Sequence, residues 1–141
     1  MAKISDIRAA LKTTFESIGS ISFVSDVIDA QVEWFPALSF EPDKLDSSSL
    51  DSCNNQRDYV FKVVLEVESN IKTRDQALNL LIDCFDDVLN AIDIDYTLWG
   101  LCEWWVDPVS ADFVMAKVEE SWAVLAVIFD IHCKTLKNIK M

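Results

Sequence analysis

Two pairs of carboxylates have the spacing that metal chemistry would ask for. Asp93 and Asp95 flank Ile94, and a D-x-D pair can hold a hard divalent cation through its oxygens. Glu66 and Glu68 recur at strand spacing beside Lys62, faintly like a nuclease metal site. Yet the chain holds 24 acidic residues among 141, so close pairs are expected by chance, and both pairs read as solvated acids. The one histidine, His132, stands in an apolar run next to Cys133. Strand neighbours point to opposite faces, so these two cannot share a zinc ion, and the histidine reads as a core or edge residue rather than a catalytic base. Two glycines, Gly19 and Gly100, cannot build a phosphate-cradling G-x-G-x-x-G or Walker loop. The expectation is a chain with no catalytic residues, no cofactor and no metal.

Tryptophan is the more informative residue type. Five of them, Trp34, Trp99, Trp104, Trp105 and Trp122, are many for this length. Adjacent Trp104 and Trp105 point to opposite sides if they lie in a strand. Large rigid aromatics serve either a monomer core or the centre of an interface. Both readings stand, with Trp34, Trp99, Trp104 and Trp105 as candidates to meet a partner.

The elements that would position these residues follow from periodicity. Ile4, Ile7, Leu11, Phe15 and Ile18 draw one stripe and predict a helix over about Ser5 to Ile18, closed by Gly19 at its C′ position. Ile28 to Phe40 predicts a strand carrying Trp34, Phe35, Leu38 and Phe40. Pro36 lacks a ladder donor, so this strand is placed at a sheet edge and Pro36 joins the interface candidates. Glu41 to Gln56 is polar and reads as a long loop, which in a compact domain is mobile or functional. Its Asp43, Lys44, Leu50, Asn54 and Asn55 are candidate partner contacts. Tyr59, Phe61, Val63, Leu65 and Val67 alternate with a mixed set and predict the clearest strand, buried on one side.

Thr73 and Gln76 form a capping box for a second helix, Thr73 to Asn90, with Ala77, Leu78, Leu81, Phe85, Val88 and Leu89 inward. Strands over about Leu98 to Val106 and Ser121 to Cys133 follow, with Ala111 to Glu119 readable as short helix or strand. The last strand is apolar on both faces, so both must be covered. Two helices cover one side, and a second subunit is a candidate for the other. This order predicts a single α+β domain over 1–141, a mainly antiparallel mixed β-sheet with two principal helices packed on one face.

The totals narrow the function further. At 141 residues and 51% apolar, the chain can bury about two-thirds of its unfolded surface and is not disordered. No stretch reaches the roughly 18 apolar residues of a membrane span, and the start, MAKISDIRAALK, lacks the pattern of a signal peptide. Work in a cytoplasm, or in something assembled there, is expected. The scattered cysteines at 53, 84, 102 and 133 then read as reduced and buried. A net charge of −12 repels nucleic-acid phosphates and anionic membranes, and otherwise serves solubility.

As a whole the chain resembles the tail terminator proteins of long-tailed, lambda-like bacteriophages. The likeness lies in the order of elements: an amphipathic helix, the aromatic-proline segment Trp34-Phe35-Pro36-Ala37-Leu38, and the basic-led alternating strand Arg57-Asp58-Tyr59-Val60-Phe61-Lys62-Val63. A capped helix then leads into Asp95-Tyr96-Thr97-Leu98-Trp99-Gly100, and Val106-Asp107-Pro108 precedes a long apolar strand. Where the family commonly has a glycine in that turn, this chain has Trp99. The resemblance implies a non-enzymatic virion protein, a homo-hexameric ring that caps the tail tube and offers a surface to a head-completion or neck protein. Its partners would be itself, the tail tube protein and that neck protein. Six copies would carry a formal −72 (6 × −12), and a negative lumen would let DNA pass without sticking. Another tail-completion protein, a small cytosolic interaction module and a metal-dependent enzyme remain alternatives.

Overall fold

The computed structural model describes residues 4–28, 32, 34–49, 54–70, 74–94, 104–106, 111–118 and 122–138. These form helix α1 (Ile4–Glu16), strands β1 (Phe23–Ser25), β2 (Ala37–Ser49) and β3 (Asn54–Asn70), helix α2 (Arg74–Ile94), and strands β4 (Trp104–Val106), β5 (Ala111–Val118) and β6 (Trp122–Asn138). The α+β class holds. All six strands share one mixed sheet in the order β1-β2-β3-β6, with β4 and β5 both lying against the far side of β6. Only the β1–β2 pair is parallel.

The centre of the sheet is the long antiparallel pair of β3 and β6, in unbroken register from Asn54↔Asn138 to Asn70↔Trp122. One face of that pair presents Tyr59, Phe61, Val63, Leu65 and Val67 beside Leu125, Val127, Phe129, Ile131 and Cys133, all buried. Helix α1 adds Ile7, Leu11 and Phe15, spaced four apart, and α2 adds Ala77, Leu81, Cys84, Val88 and Ile92, making one core. Two aromatic chains stitch the layers together. Phe15 meets Phe40 edge-on at 5.3 Å and Phe40 meets Phe61 at 6.3 Å. On the α2 side, Phe85 touches Phe113 at 6.0 Å and Phe129 at 5.0 Å. Full burial of each such ring contributes about 1.5–3 kcal/mol.

The structure redraws several sequence expectations. Residues 41–56 are not one long loop, because β2 runs to Ser49 and β3 begins at Asn54, joined in a ladder down to Ser49↔Asn55. Their polar side chains suggest a turn, but backbone pairing on β3 holds the strand regardless of composition. Pro36 lies just outside the ladder, before β2 starts, with a cis peptide bond to Phe35. Nor is the start of β2 an edge, since β1, missed in the sequence, pairs with Ala37 to Ser39. The proline that does sit in the sheet is Pro42, in a stretch of β2 that pairs only with β3 among the described residues. A bulge follows it, between Pro42 and Lys44, as a missing ladder donor favours.

Helix α1 ends at Glu16, and Gly19 is no left-handed cap: its backbone stays outside that region. Instead the Ser17 amide donates to the Thr13 and Thr14 carbonyls, and the Ser17 hydroxyl donates to Thr14 O at 2.6 Å. Helix α2 runs on to Ile94, past the expected end at Asn90. Its buried stripe takes in Cys84 and Ile92, and leaves Leu78 39% exposed. Thr73 and the turn at 95–100 lie outside the described residues. Residues 111–118 are strand, and β6 continues beyond Cys133 to Asn138. On the second face of the sheet Val60, Val124 and Ala126 are already buried within the single chain, so covering them needs no second subunit.

Candidate functional site

Three features stand out from the plain scaffold: a polar extension of the sheet, two apolar margins and a polar pair on the second face. Beyond Tyr59 and Cys133 the strands continue to pair. Asp46 to Ser49, Asn55 to Asp58 and Thr135 to Asn138 run side by side as three strands. This arm is rich in Ser, Asp, Asn and Gln, and its backbone ladder continues across all three strands.

The expected partner residues fall in separate places. Asn54 and Asn55 open β3 at the tip of the arm, opposite Asn138 and Lys137 of β6. Asp43 and Lys44 are exposed at the bulge near the arm's base. Trp104 and Trp105 lie in β4, opposite Lys134 and Cys133, also near that base. Trp34 is 64% exposed in the bend before β2. It lies at the opposite end of β2 from the arm, about 40 Å away at some 3.3 Å per residue. Pro36 is half-buried, and its carbonyl accepts from the amides of Ser22 at 2.8 Å and Phe23 at 3.3 Å, which seats β1 on β2. Leu50 and Trp99 lie outside the described residues.

Sequence reasoning missed the apolar margin at the other edge. Phe113 is 50% exposed on β5, next to exposed Val114 and Met115. Phe113 leans on Phe85 of α2, the helix whose Leu78 and Ile82 are also exposed. Val27 and Trp34 are the exposed apolar side chains near β1. Among the described residues β5 pairs only with β6, and β1 only with β2, so these two margins bound the sheet. Residues 111–118 show no clean period, which is what an edge strand exposed on both sides gives.

The second face of the sheet carries a polar pair. His132 Nδ1 lies 2.8 Å from Asp58 Oδ2, with both side chains mostly buried. The register explains it: His132 stands opposite Val60, so Asp58 is its diagonal neighbour. The carboxylate can fix the ring's tautomer and orientation. Neighbouring Cys133 points the other way, into the core, so the two do not share a site.

Of the carboxylate pairs, Glu66 is half-buried and Glu68 exposed on the second face, opposite Ala126 and Val124. Asp93 is exposed on α2, and Asp95 lies outside the described residues. Among the described residues no three metal-ligating side chains gather. Cys84 and Cys133 are buried thiols outside any disulfide among the described residues, while Cys53 and Cys102 lie outside the described residues. Burial pushes the Cys84 thiol above its ordinary 9.0, against a hydrogen bond to Ser20 that lowers it, with Asp87 and Asp83 raising it further. Among the described residues no helix is long and apolar enough to cross a membrane. In comparisons with known proteins, no family model and no curated protein matches the chain.

Proposed function

We propose that this chain is a structural assembly protein of the tail-terminator kind, closing head-to-tail into a ring of identical copies that caps a phage tail tube. The observation that carries the reading is the pair of apolar margins at opposite edges of one sheet, Trp34 and Val27 at one and Phe113 and Met115 at the other. Two different patches on one molecule fit a heterologous contact, in which each copy gives one patch and takes the other, and which closes into a ring when the rotation allows. The polar arm then supplies the contact to the tube protein, with Asn54 and Asn55 at its tip. A neck protein would meet the ring elsewhere, and DNA would pass through a negative lumen.

Native mass spectrometry of the chain, alone and with tube protein, tests the ring. A species near six times 16.0 kDa in either case supports it. A monomer in both favours an interaction module instead. Phe113→Glu should abolish the ring, because a buried charge at the joint lacks a partner. Replacing the arm from Asp46 to Asp58 with a short turn should leave rings intact and abolish capping. Capping that survives would remove the arm from the reading. Copies at −12 repel one another, so assembly should strengthen as salt rises toward about 0.15 M, where the screening length is about 8 Å.

A further inference from the structure

The C-terminal ends of both helices open on the same crevice. It has a volume of about 670 Å³, and the last turns of α1 and α2 form its walls. Each helix brings the negative end of its dipole there, equivalent to about half a charge. Neither last turn contains a basic residue to offset it. Asp87 adds a full carboxylate at the rim, held by the Ser20 hydroxyl, which donates to its Oδ2 at 2.7 Å. Asn90 supplies an amide beside it, while Ile18, Ala91 and Ile94 give an apolar wall. Ile94 is 84% exposed there.

Negative potential at one side and an aliphatic wall at the other are complementary to one kind of group. A long alkyl stem would lie along Ile18, Ala91 and Ile94, and its cationic end would reach Asp87 and the helix ends. An anion would be repelled, and a bare metal ion would leave the apolar wall unused. We propose that this crevice binds an alkylammonium group, presented as the end of a lysine side chain on a partner protein or as a free diamine. The chain's net charge of −12 draws either toward it. This site does not depend on ring formation, and a monomer would bind as well as a ring.

The test is an amide chemical-shift titration of the ¹⁵N-labelled full chain with three probes. They are Nα-acetyl-lysine N-methylamide, 1,5-diaminopentane, and the norleucine analogue of the first, which lacks the ammonium. The two cations should shift the amides of Gly19, Ser20 and Asn90 while the norleucine analogue does not, and the tighter cation names the source. Asp87→Asn should weaken binding about tenfold, and Asn90→Asp, which adds a carboxylate at the rim, should tighten it about threefold. Both residues are exposed, and an unchanged spectrum elsewhere confirms folding. Absence of localised shifts up to roughly 50 mM of either cation overturns the proposal. So does equal binding of the norleucine analogue, or binding that ignores both substitutions.

Discussion

The two faces of the β3–β6 pair share every backbone hydrogen bond and differ in almost everything else. The face toward the helices is uniformly apolar, from Tyr59 to Val67 and from Leu125 to Cys133, with no residue more than 5% exposed. The opposite face mixes Asp58, Val60, Lys62, Val64, Glu66 and Glu68 with Val124, Ala126, Ile128, Asp130 and His132. A sheet's side chains alternate with period two, so a one-residue slip would exchange these sets and drive Lys62 and Asp58 into the core. The helix-side face therefore holds most of the stabilising burial, and the mixed face makes a one-residue slip costly. This division can be broken or sharpened by substitution, beginning with the largest effect.

Phe61 is fully buried and bridges the sheet to α1 through Phe40 and Phe15. Phe61→Ala should cost about 3–5 kcal/mol, the transfer loss plus the cavity left behind. A domain of this size has about 5–15 kcal/mol in total, so the denaturation midpoint should fall steeply. A loss below 1 kcal/mol would mean that the helix-side face does not dominate stability.

On the mixed face the largest single effect should come from Asp58. Its Oδ2 pairs with His132 and its Oδ1 is buried with no partner among the described residues, so placing this carboxylate already costs desolvation. Asp58→Ala should cost about 1–3 kcal/mol, less than Phe61→Ala, because it removes a charged hydrogen bond and leaves little cavity. A double-mutant cycle with His132→Gln measures the coupling directly. A coupling near zero would show that the pair is geometry without energy.

Cys84 sharpens the contrast from the helix side, where polar atoms are tolerated only when neutral. Its pKa is raised by burial, so between 9.0 and that raised value the unfolded chain loses the proton while the folded chain keeps it. The contribution is therefore fully present below pH 9.0 and is lost as pH climbs through the raised value. The loss is at most about 1.4 kcal/mol per pH unit. Denaturant titrations of the native chain and Cys84→Ala between pH 8 and 10.5 should show a steeper alkaline decline in the native chain. Parallel curves would place the thiol outside the desolvated core.

The same contrast decides how much of the molecule could be read in advance. The alternation from Tyr59 to Val67 is legible because only one of its faces is buried, and α1 is legible because its stripe repeats without interruption. Periodicity places helix α2 but turns its inner stripe toward Leu78, since leucine outweighs Cys84 in any reading by hydrophobicity alone. The arm is hidden by composition: Asp46 to Ser49 looks like a turn until β3 supplies its ladder. Strand β5 has no period because both its faces meet solvent. The His132–Asp58 pair and the crevice at the helix ends were out of reach for another reason. Each joins residues far apart in sequence, 74 apart for the pair and 67 for Ser20 and Asp87, and only register or helix packing brings them together.

The smallest expected effect lies where the mixed face is most exposed. Lys62 and Asp130 stand directly opposite in the β3–β6 register, and both are exposed. Opposite charges so placed contribute only about 0.2–1 kcal/mol, because water screens them and holding two long side chains costs entropy. Asp130→Lys makes the pair repulsive and should lower stability by a similar amount, with the loss shrinking as salt is added. If the mixed face mainly penalises wrong registers, this substitution has a second signature. A lysine at 130 stays in solvent in the native register but would be driven toward the core by a one-residue slip, so the native pairing remains favoured and hydrogen exchange at Val63 and Phe129 should quicken only in proportion to the loss of global stability. Faster exchange confined to β3 and β6 would instead mean that the Lys62–Asp130 pair itself pins the register, and the work of the mixed face would rest on attraction rather than on exclusion from the core.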